Sequence, residues 1–438
     1  MRAAPFLPGQ KMSTTYAFTG DDASLHFDIN NLTPRQIIDD KENKDLMGFL
    51  QVCLIGLGKA ADHAMLYTDF AAPPWPDRLA RYAGFFDRMG IDHVPADHWH
   101  FQPIDGFYDA IAADLPPTDS ITFYMTSGTN GVLHNDPAAY AVSQNVNSKV
   151  HFAHHAPAFG INVPDTLVVK KGDLGGEEAA AFMAKHDNQI ILKTLGLAGA
   201  RNVTPVGSIA EAIDYVGEYD DDLDVILQHK LDLSRWTEMT ADLSVTPDSI
   251  TISNVRQIMF ADGIWVGNLI GPDVICTPEH EAALLQIGDY ARAQGYVEPE
   301  GVNCGVDYFI DDDGGFIATE INARWTGGLF PAEMIRQVGA TAETCVAFVD
   351  LCVHNKFDTY LDFIDRHLYE GPNGGGVPDG AFRTIPLGCS PIPQSIDGED
   401  FFFSWQVIAG DFEAFKQARR DELGPGALDR ADAISLVL

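Results

Sequence analysis

Basic residues are scarce: 28 Lys+Arg stand against 63 Asp+Glu, a formal charge of -35 over 438 residues. No basic run is concentrated anywhere, so phosphate backbones and anionic lipid heads would be repelled, and neither nucleic acid nor a membrane surface is an expected partner. Apolar runs of membrane-spanning length are missing, and the opening MRAAPFLPGQKMSTTYAF lacks the apolar stretch of a signal peptide. A cytoplasmic protein is therefore expected. Cysteines are few, and Cys53, Cys276, Cys304, Cys345, Cys352 and Cys389 show no C-x-x-C spacing. Several sit in apolar runs such as VCLIG and CVAFV, which reads as buried thiols rather than a disulfide framework. No internal repeat, long low-complexity tract or Ser/His/Asp nucleophile motif occurs. What is present is core material: 46% hydrophobic and 10% aromatic residues, enough for two or three domains. The acidic surplus reads as a heavily solvated surface.

Residues 1–45 are polar, punctuated by Pro5, Pro8 and Pro34, and end in DDKENKD; they are expected to form an N-terminal arm. FLQVCLIGLG, from Phe49 to Gly58, is a nearly continuous apolar run closed by glycines and followed by KAADHAM. That pattern predicts a buried parallel strand turning into a helix. With the helical PDRLARYAGFFDRMG and FYDAIAADL and the strand SITFYMTS, it predicts a Rossmann-like domain over residues 46–145. From Ser143 the texture changes to mixed helices and strands, and a second domain is expected over 146–345. It holds the helical SKVHFAHHAPAFG, the strands INVPDTLVVKKG, QIILK and DVILQHKL, and a helix opened by Ser208 and Glu211. A three-strand meander broken at Pro247–Asp248 and Asp262–Gly263 follows, then a helix ended by Gly295 and a hairpin turning at DDDGG. Residues 346–438 are expected as a C-terminal substrate-side region, with a helix over AETCVAFVDLCVHNK and a glycine-rich loop, EGPNGGGVPDG.

The chemistry is concentrated in that hairpin. Glu320 and Asn322 are two apart on one predicted strand and so share a face, while Asp307 on the partner strand lies beside them. Two carboxylates and an amide oxygen make a hard-oxygen site suited to Mg²⁺ carrying nucleotide phosphates. Arg324, two residues further, is predicted on the same face, able to hold a transferring phosphoryl group. Asp311, Asp312 and Asp313 in the turn read as solvated. Lys193 ends the strand QIILK, and TLGLAGARNV after it offers backbone N–H groups to phosphates. GLGKAA, Gly56 to Ala61, fits the dinucleotide pattern G-x-G-x-x-A, but the acid expected about 20 residues later falls near AAPPWP. Tight-turn geometry is the favoured reading there, with a nicotinamide-dependent oxidoreductase as its rival. His151 and His155 have a metal pair's spacing but no third ligand follows, so structural roles are expected. Cys345 and Cys352, seven apart, are predicted on one helical face in the core.

In order and spacing, GLGKAA, NSKVHFAHHAPAFGINVPDT, LKTLGLAGARNVTPVGS, DVILQHKL and VDYFIDDDGGFIATEINARWTGG resemble the ATP-grasp superfamily over roughly residues 48–340. RQIMFADGIWVGNLIGP with EINARWTGGLFP resembles, more narrowly, the peptide ligases of the pheganomycin type. The resemblance implies an α/β fold, with an ATP-grasp core of two α+β lobes preceded by a Rossmann-like pre-ATP-grasp domain. It implies an ADP-forming ligase that joins a small-molecule carboxylate to an amine through an acyl phosphate, on amino-acid-like substrates in a biosynthetic pathway. The cofactors implied are ATP and Mg²⁺, with Mn²⁺ as a substitute, and a homodimer is common in the family. Lys149 and Lys193 match the lysines that contact phosphates, and Gly196 and Gly199 the mobile loop over them. Gln228, His229, Lys230 and Leu231 match the hinge strand that meets adenine, and Glu238 or Asp242 the ribose-binding acid. Asp307, Glu320 and Asn322 match the metal ligands, Arg324 the arginine that steadies the acyl phosphate, and Arg256 a contact to phosphate or substrate. The alternatives are an ATP-grasp kinase, a ligase for a non-amino-acid amine, and a nucleotide-binding protein without catalysis.

Overall fold

The computed structural model describes residues 13–194, 203–217, 219–261, 264–371, 376–396 and 398–423. Its first unit is a parallel sheet of β1 (Thr14–Ala17), β2 (His63–Tyr67), β3 (Trp99–Gln102) and β4 (Ser120–Phe123), in the order β3-β2-β1-β4. β1 comes from the segment expected as an arm and lies between β2 and β4, so that segment supplies an inner strand of the sheet.

The predicted strand over Phe49–Gly58 is instead the buried half of the helix Pro34–Leu57, and the strand lies beyond it, in the HAMLY of β2. The helix start is strongly marked. Pro34 occupies its first turn, the Thr33 hydroxyl accepts from the Gln36 N–H, and Gln36 in turn accepts from the Thr33 N–H at 2.8 Å. Its first half is solvated, with Lys44 paired to Asp40 at 2.6 Å, whereas Val52, Cys53, Leu54 and Ile55 are buried. A helix end wrapped on all sides loses its polar stripe, so a short window reads as a strand. GLGKAA therefore closes a helix, with Gly58 as its C-terminal cap, and does not open one as a pyrophosphate site requires.

The second unit is an antiparallel sheet, β5 (Thr166–Lys170), β6 (Ile190–Lys193), β7 (Val203–Val206) and β8 (Asp224–His229), ordered β5-β8-β6-β7. The helices Glu177–Lys185 and Ile209–Tyr215 contribute Met183 and Ala212 to its core, beside Leu192 and Leu227. Ser208 caps the second helix by accepting from the Glu211 N–H, as its sequence predicts.

The third unit is a nine-stranded antiparallel sheet. Its strands are β9 (Trp236–Val245), β10 (Ile250–Ala261), β11 (Ile264–Ile270), β12 (Val302–Asp311), β13 (Phe316–Asn322), β14 (Cys345–Val353), β15 (Phe382–Cys389), β16 (Gln394–Ile396) and β17 (Glu399–Gly410). The order is β13-β12-β9-β10-β11-β14-β17-β15, with β16 on β17. The meander and the hairpin are where the sequence puts them. β14 is not: the segment predicted as a helix is a strand. Cys345, Ala347 and Val349 enter one core, while Val346 and Phe348 enter another with Phe412 and Phe415. A strand covered on both faces reads as a continuous apolar run, which hides its period of two. Cys345 and Cys352 accordingly share no helical face, although both are buried.

Candidate active site

The β12–β13 hairpin places the predicted ligands together. Asp307 is paired with Glu320 and Gly305 with Asn322, so Asp307, Glu320 and Asn322 share one face. Between Asp307 and Tyr308 the register slips, leaving Thr319 as the extra residue of a β-bulge; its hydroxyl donates to the Asp307 carbonyl at 3.1 Å. Asn322 Nδ2 donates to Asp307 Oδ2 at 2.9 Å. On the other side of β12, β9 pairs Thr240 with Asp307 and Glu238 with Phe309, which puts Glu238 on the same face one step along.

Two lysines converge on Glu320 from separate elements. Lys149 opens the helix Lys149–His155, which Ser148 caps, and its Nζ lies 2.9 Å from Glu320 Oε2. Lys193 ends β6, and its Nζ lies 4.0 Å from the same oxygen. Burial alone would raise the Glu320 pKa, yet the two ammonium groups hold it down to about 2. Asp307 rises to about 6, from burial and then from the Glu320 charge. Glu238 rises to about 8, from burial and then from Asp307, against the pull of Lys193. Burial also lowers the Lys193 pKa, while Glu320 opposes the change. Three acidic side chains, Glu238 the one whose proton burial favours most, thus face two ammonium groups at a poorly solvated site, an arrangement that a divalent cation would relieve on the acidic side and phosphates on the lysine side.

Among the described residues no group of three or more His, Cys, Asp or Glu side chains is arranged to hold a metal alone. The candidate set is two carboxylates and an amide, which suits Mg²⁺: that ion is commonly held by one or two carboxylates and completed by phosphate oxygens and water. The donor chemistry fits.

Other predicted residues are placed differently. Arg324 lies beyond the end of β13, so strand alternation does not set its direction. Its backbone N–H donates to the Asn322 carbonyl at 2.8 Å, and its own carbonyl accepts from Asn303 Nδ2 at 2.8 Å. Its guanidinium lies over the Tyr124 ring at 5.5 Å, with Nε 3.6 Å from Asp22 Oδ1. Arg256 and Asp242 form an ion pair with both side chains 0% exposed, which removes Arg256 from contact with substrate and Asp242 from contact with ribose. Asp242 also accepts from Thr326 Oγ1 and Asn303 Nδ2, each at 2.8 Å. Of the two acids that sequence spacing leaves open, only Glu238 faces the lysines. Asp311 is not a solvated turn residue: it is buried, accepts from the Asp313 and Gly315 N–H groups and pairs with Arg235, whereas Asp312 and Asp313 are exposed.

Gln228 is buried and its Nε2 donates to Thr166 Oγ1 at 3.1 Å. His229 stacks on His186 with ring centres 4.4 Å apart. The N–H groups of His229 and Lys230 donate to the carbonyls of Asp165 and Gln189, both at 2.9 Å, and Leu231 is half-buried. Gly196 and Gly199 lie outside the described residues. Two stretches also reach Arg324: Phe18–Asp22 after β1, which sequence reasoning leaves aside, and Tyr124–Asn130 after β4, which overlaps TSGTNGVLHND, a segment the sequence marks as a place for substrate specificity. The usable signal was a short β-rich run followed at once by small and polar residues, TTYAF then TGDD, and SITFYM then TSGTN.

No protein-family model matches the chain and no curated protein matches it. Solved structures do. A carboxyaminoimidazole ribonucleotide synthase from Aspergillus clavatus complexed with ATP is similar at a TM-score of 0.55 and 11% identity, over 97% of this chain and 99% of that one. An N5-carboxyaminoimidazole synthetase from Staphylococcus aureus complexed with ADP gives 0.53 and 10%, over 94% and 97%. A phosphoribosylamine–glycine ligase from Thermotoga maritima gives 0.52 and 13%, over 94% and 96%. The chain has the α/β fold of the ATP-grasp proteins, two α+β lobes preceded by a Rossmann-like parallel sheet.

Proposed function

We propose that the chain is an ADP-forming ATP-dependent ligase that joins a carboxylate to an amine. The observation that carries this reading is the convergence of Lys149 and Lys193 on Glu320 opposite Asp307, in a fold whose solved neighbours include ATP and ADP complexes. Asp307, Glu320 and Asn322 would hold Mg²⁺, which supplies charge neutralisation for bound phosphates. The chain's own residues do the rest. Lys149 and Lys193 draw the phosphates to the carboxylate face, Glu238 receives the ribose hydroxyls, and the backbone of Lys230 and Leu231 meets the adenine edge. The substrate carboxylate oxygen attacks the γ-phosphorus, ADP leaves, and Arg324 steadies the resulting acyl phosphate. The amine nitrogen then attacks the acyl carbon, the C–O bond to phosphate breaks, and the nitrogen gives up a proton. No nucleophilic side chain is needed. Amino-acid-like substrates, Mn²⁺ as a substitute, a cytoplasmic setting and a homodimer complete the proposal; a related biotin carboxylase domain is described as a dimer with MgADP bound.

The test is to incubate the protein with MgATP and pooled amino acids and polyamines, following ADP, phosphate and product mass. ADP and phosphate with a product equal to two substrates minus water is the expected outcome. AMP and pyrophosphate would sink the acyl-phosphate route, and a stable phosphorylated product would make the protein a kinase. Arg324→Ala is expected to abolish turnover in a protein that still folds, shown by a cooperative melt.

A further inference from the structure

We infer that the carboxylate activated at this site carries a free amino group, and that Asp22 is the side chain that recognises it. The inference rests on the ligase reading above and names the class of its first substrate: an aminocarboxylate, not a simple acid.

The parallel sheet supplies the place. Its order β3-β2-β1-β4 reverses between β1 and β4, and the loops leaving those strands diverge at their carboxyl ends, where open α/β sheets hold ligands. The two loops are tied to each other at the base of the crevice. Ser127 Oγ and Thr129 Oγ1 both donate to Asp21 Oδ2, the latter at 3.0 Å, and Ser24 Oγ lies 3.2 Å from Thr129 Oγ1. The Trp325 N–H donates to the Tyr124 carbonyl at 3.0 Å, which seats the crevice against the chain leaving β13. The switch point therefore opens onto the carboxylate hairpin, with Arg324 between them.

Asp22 and Arg324 face each other there without closing. Asp22 is 5% exposed; its Oδ2 is fixed by Asn43 Nδ2 at 2.8 Å, and among the described residues no hydrogen bond reaches Oδ1. Arg324 Nε stands 3.6 Å from that oxygen, beyond hydrogen-bond reach. Behind it, Asp21 Oδ1 is buried and also without a partner. The loop is held in this position by close packing: a side chain at Gly20 would come within 2.7 Å of the Asn43 backbone. A carboxylate oxygen of a largely buried side chain that accepts no hydrogen bond among the described residues, beside a guanidinium whose side-chain N–H groups make none there, is complementary to a zwitterion. An ammonium group satisfies Asp22 and a carboxylate satisfies the Arg324 fork, with that carboxylate turned toward the lysines. An acid without an amine would engage Arg324 and leave Asp22 Oδ1 with only its long 3.6 Å contact to that guanidinium.

Hydroxylamine intercepts acyl phosphates as hydroxamates whatever the natural amine, so it reports the activated substrate alone. The full-length protein with MgATP and hydroxylamine is given three pools: amino acids and dipeptides, their N-acetyl derivatives, and the matching acids lacking the amino group. Hydroxamate from the first pool only is expected. For the amino acid or dipeptide that responds, Asp22→Asn should raise KM roughly tenfold or more with kcat little changed, and should narrow the preference over its amine-free analogue. Equal hydroxamate from the blocked or amine-free pools overturns the inference and leaves the ligase reading standing. An unchanged KM in a folded Asp22→Asn protein also overturns it. No hydroxamate and no ATP consumption with any pool overturns both. The pool comparison uses the unaltered protein and does not depend on the variant folding.

Discussion

Glu320 sits where two ammonium groups and one carboxylate compete, and the lysines win. Replacing it by Gln removes the charge that both lysines and a metal would share, so turnover should fall by at least about 100-fold, read by ADP release, and the unfolding midpoint near neutral pH should fall as well, because two ammonium groups lose their shared partner. Arg256→Ala should do the reverse of a purely catalytic change. It strands Asp242 as a buried charge, and denaturant unfolding should show a loss of about 3–5 kcal/mol. Glu238 gives a pH prediction. Its folded pKa of about 8 exceeds the ordinary 4.5, so the folded state binds the extra proton between those values. Its contribution is fully present below pH 4.5 and is lost as pH rises through 8. Unfolding midpoints of the nucleotide-free protein should therefore show wild type losing ground to Glu238→Gln as pH is raised across that window; parallel curves would refute the assignment.

The elements show why part of the site was legible in the sequence and part was not. The hairpin was readable because both of its strands alternate around an acidic, glycine-bearing turn, and periodicity then fixes which side chains share a face. Lys193 stood out as the end of a strand before a glycine-bearing segment and Lys149 came from the resemblance; no local pattern shows that two chain segments so far apart meet at Glu320. The helix Pro34–Leu57 and β14 were misread for the same physical reason, burial on every side, which erases the polar stripe that distinguishes periods of 3.6 and 2. The Thr33–Pro34–Gln36 start was in the sequence and would have corrected the first error. Missing β1 then hid Asp21 and Asp22, since an arm has no carboxyl edge. The same helix is set against β15 by Gly388, where an added Cβ would lie 2.1 Å from the Phe49 carbonyl oxygen. Gly388→Ala should cost about 1–3 kcal/mol in denaturant unfolding, because both contacting partners are backbone-fixed and cannot yield locally.

Across the whole molecule the few cations are used at joints. Arg78 pairs with Asp358 at 3.0 Å, Arg81 with Asp362 at 2.7 Å, and Arg88 with Asp365 and Glu370, linking the helix Trp75–Arg88 of the parallel-sheet unit to the helix Phe357–Arg366 beside the large sheet. Such pairs, partly exposed, contribute little each, whereas a formal charge of -35 repels itself everywhere. Raising NaCl from about 0.02 M to about 0.2 M should therefore raise the unfolding midpoint, because screening relieves more repulsion than attraction. A falling midpoint would show that the joints outweigh the surplus.

The large sheet runs without interruption from the carboxylate hairpin at β13 to β15, with β14 and β17 joining the two ends. For anyone cutting the gene, the conventional seam after the ligand hairpin does not exist. A product stopped at residue 345 would end with β11 as a bare ladder of backbone donors and acceptors, ready to recruit strands from its neighbours in the cell. Chimeras will have to keep the strands from β9 to β17 as one piece.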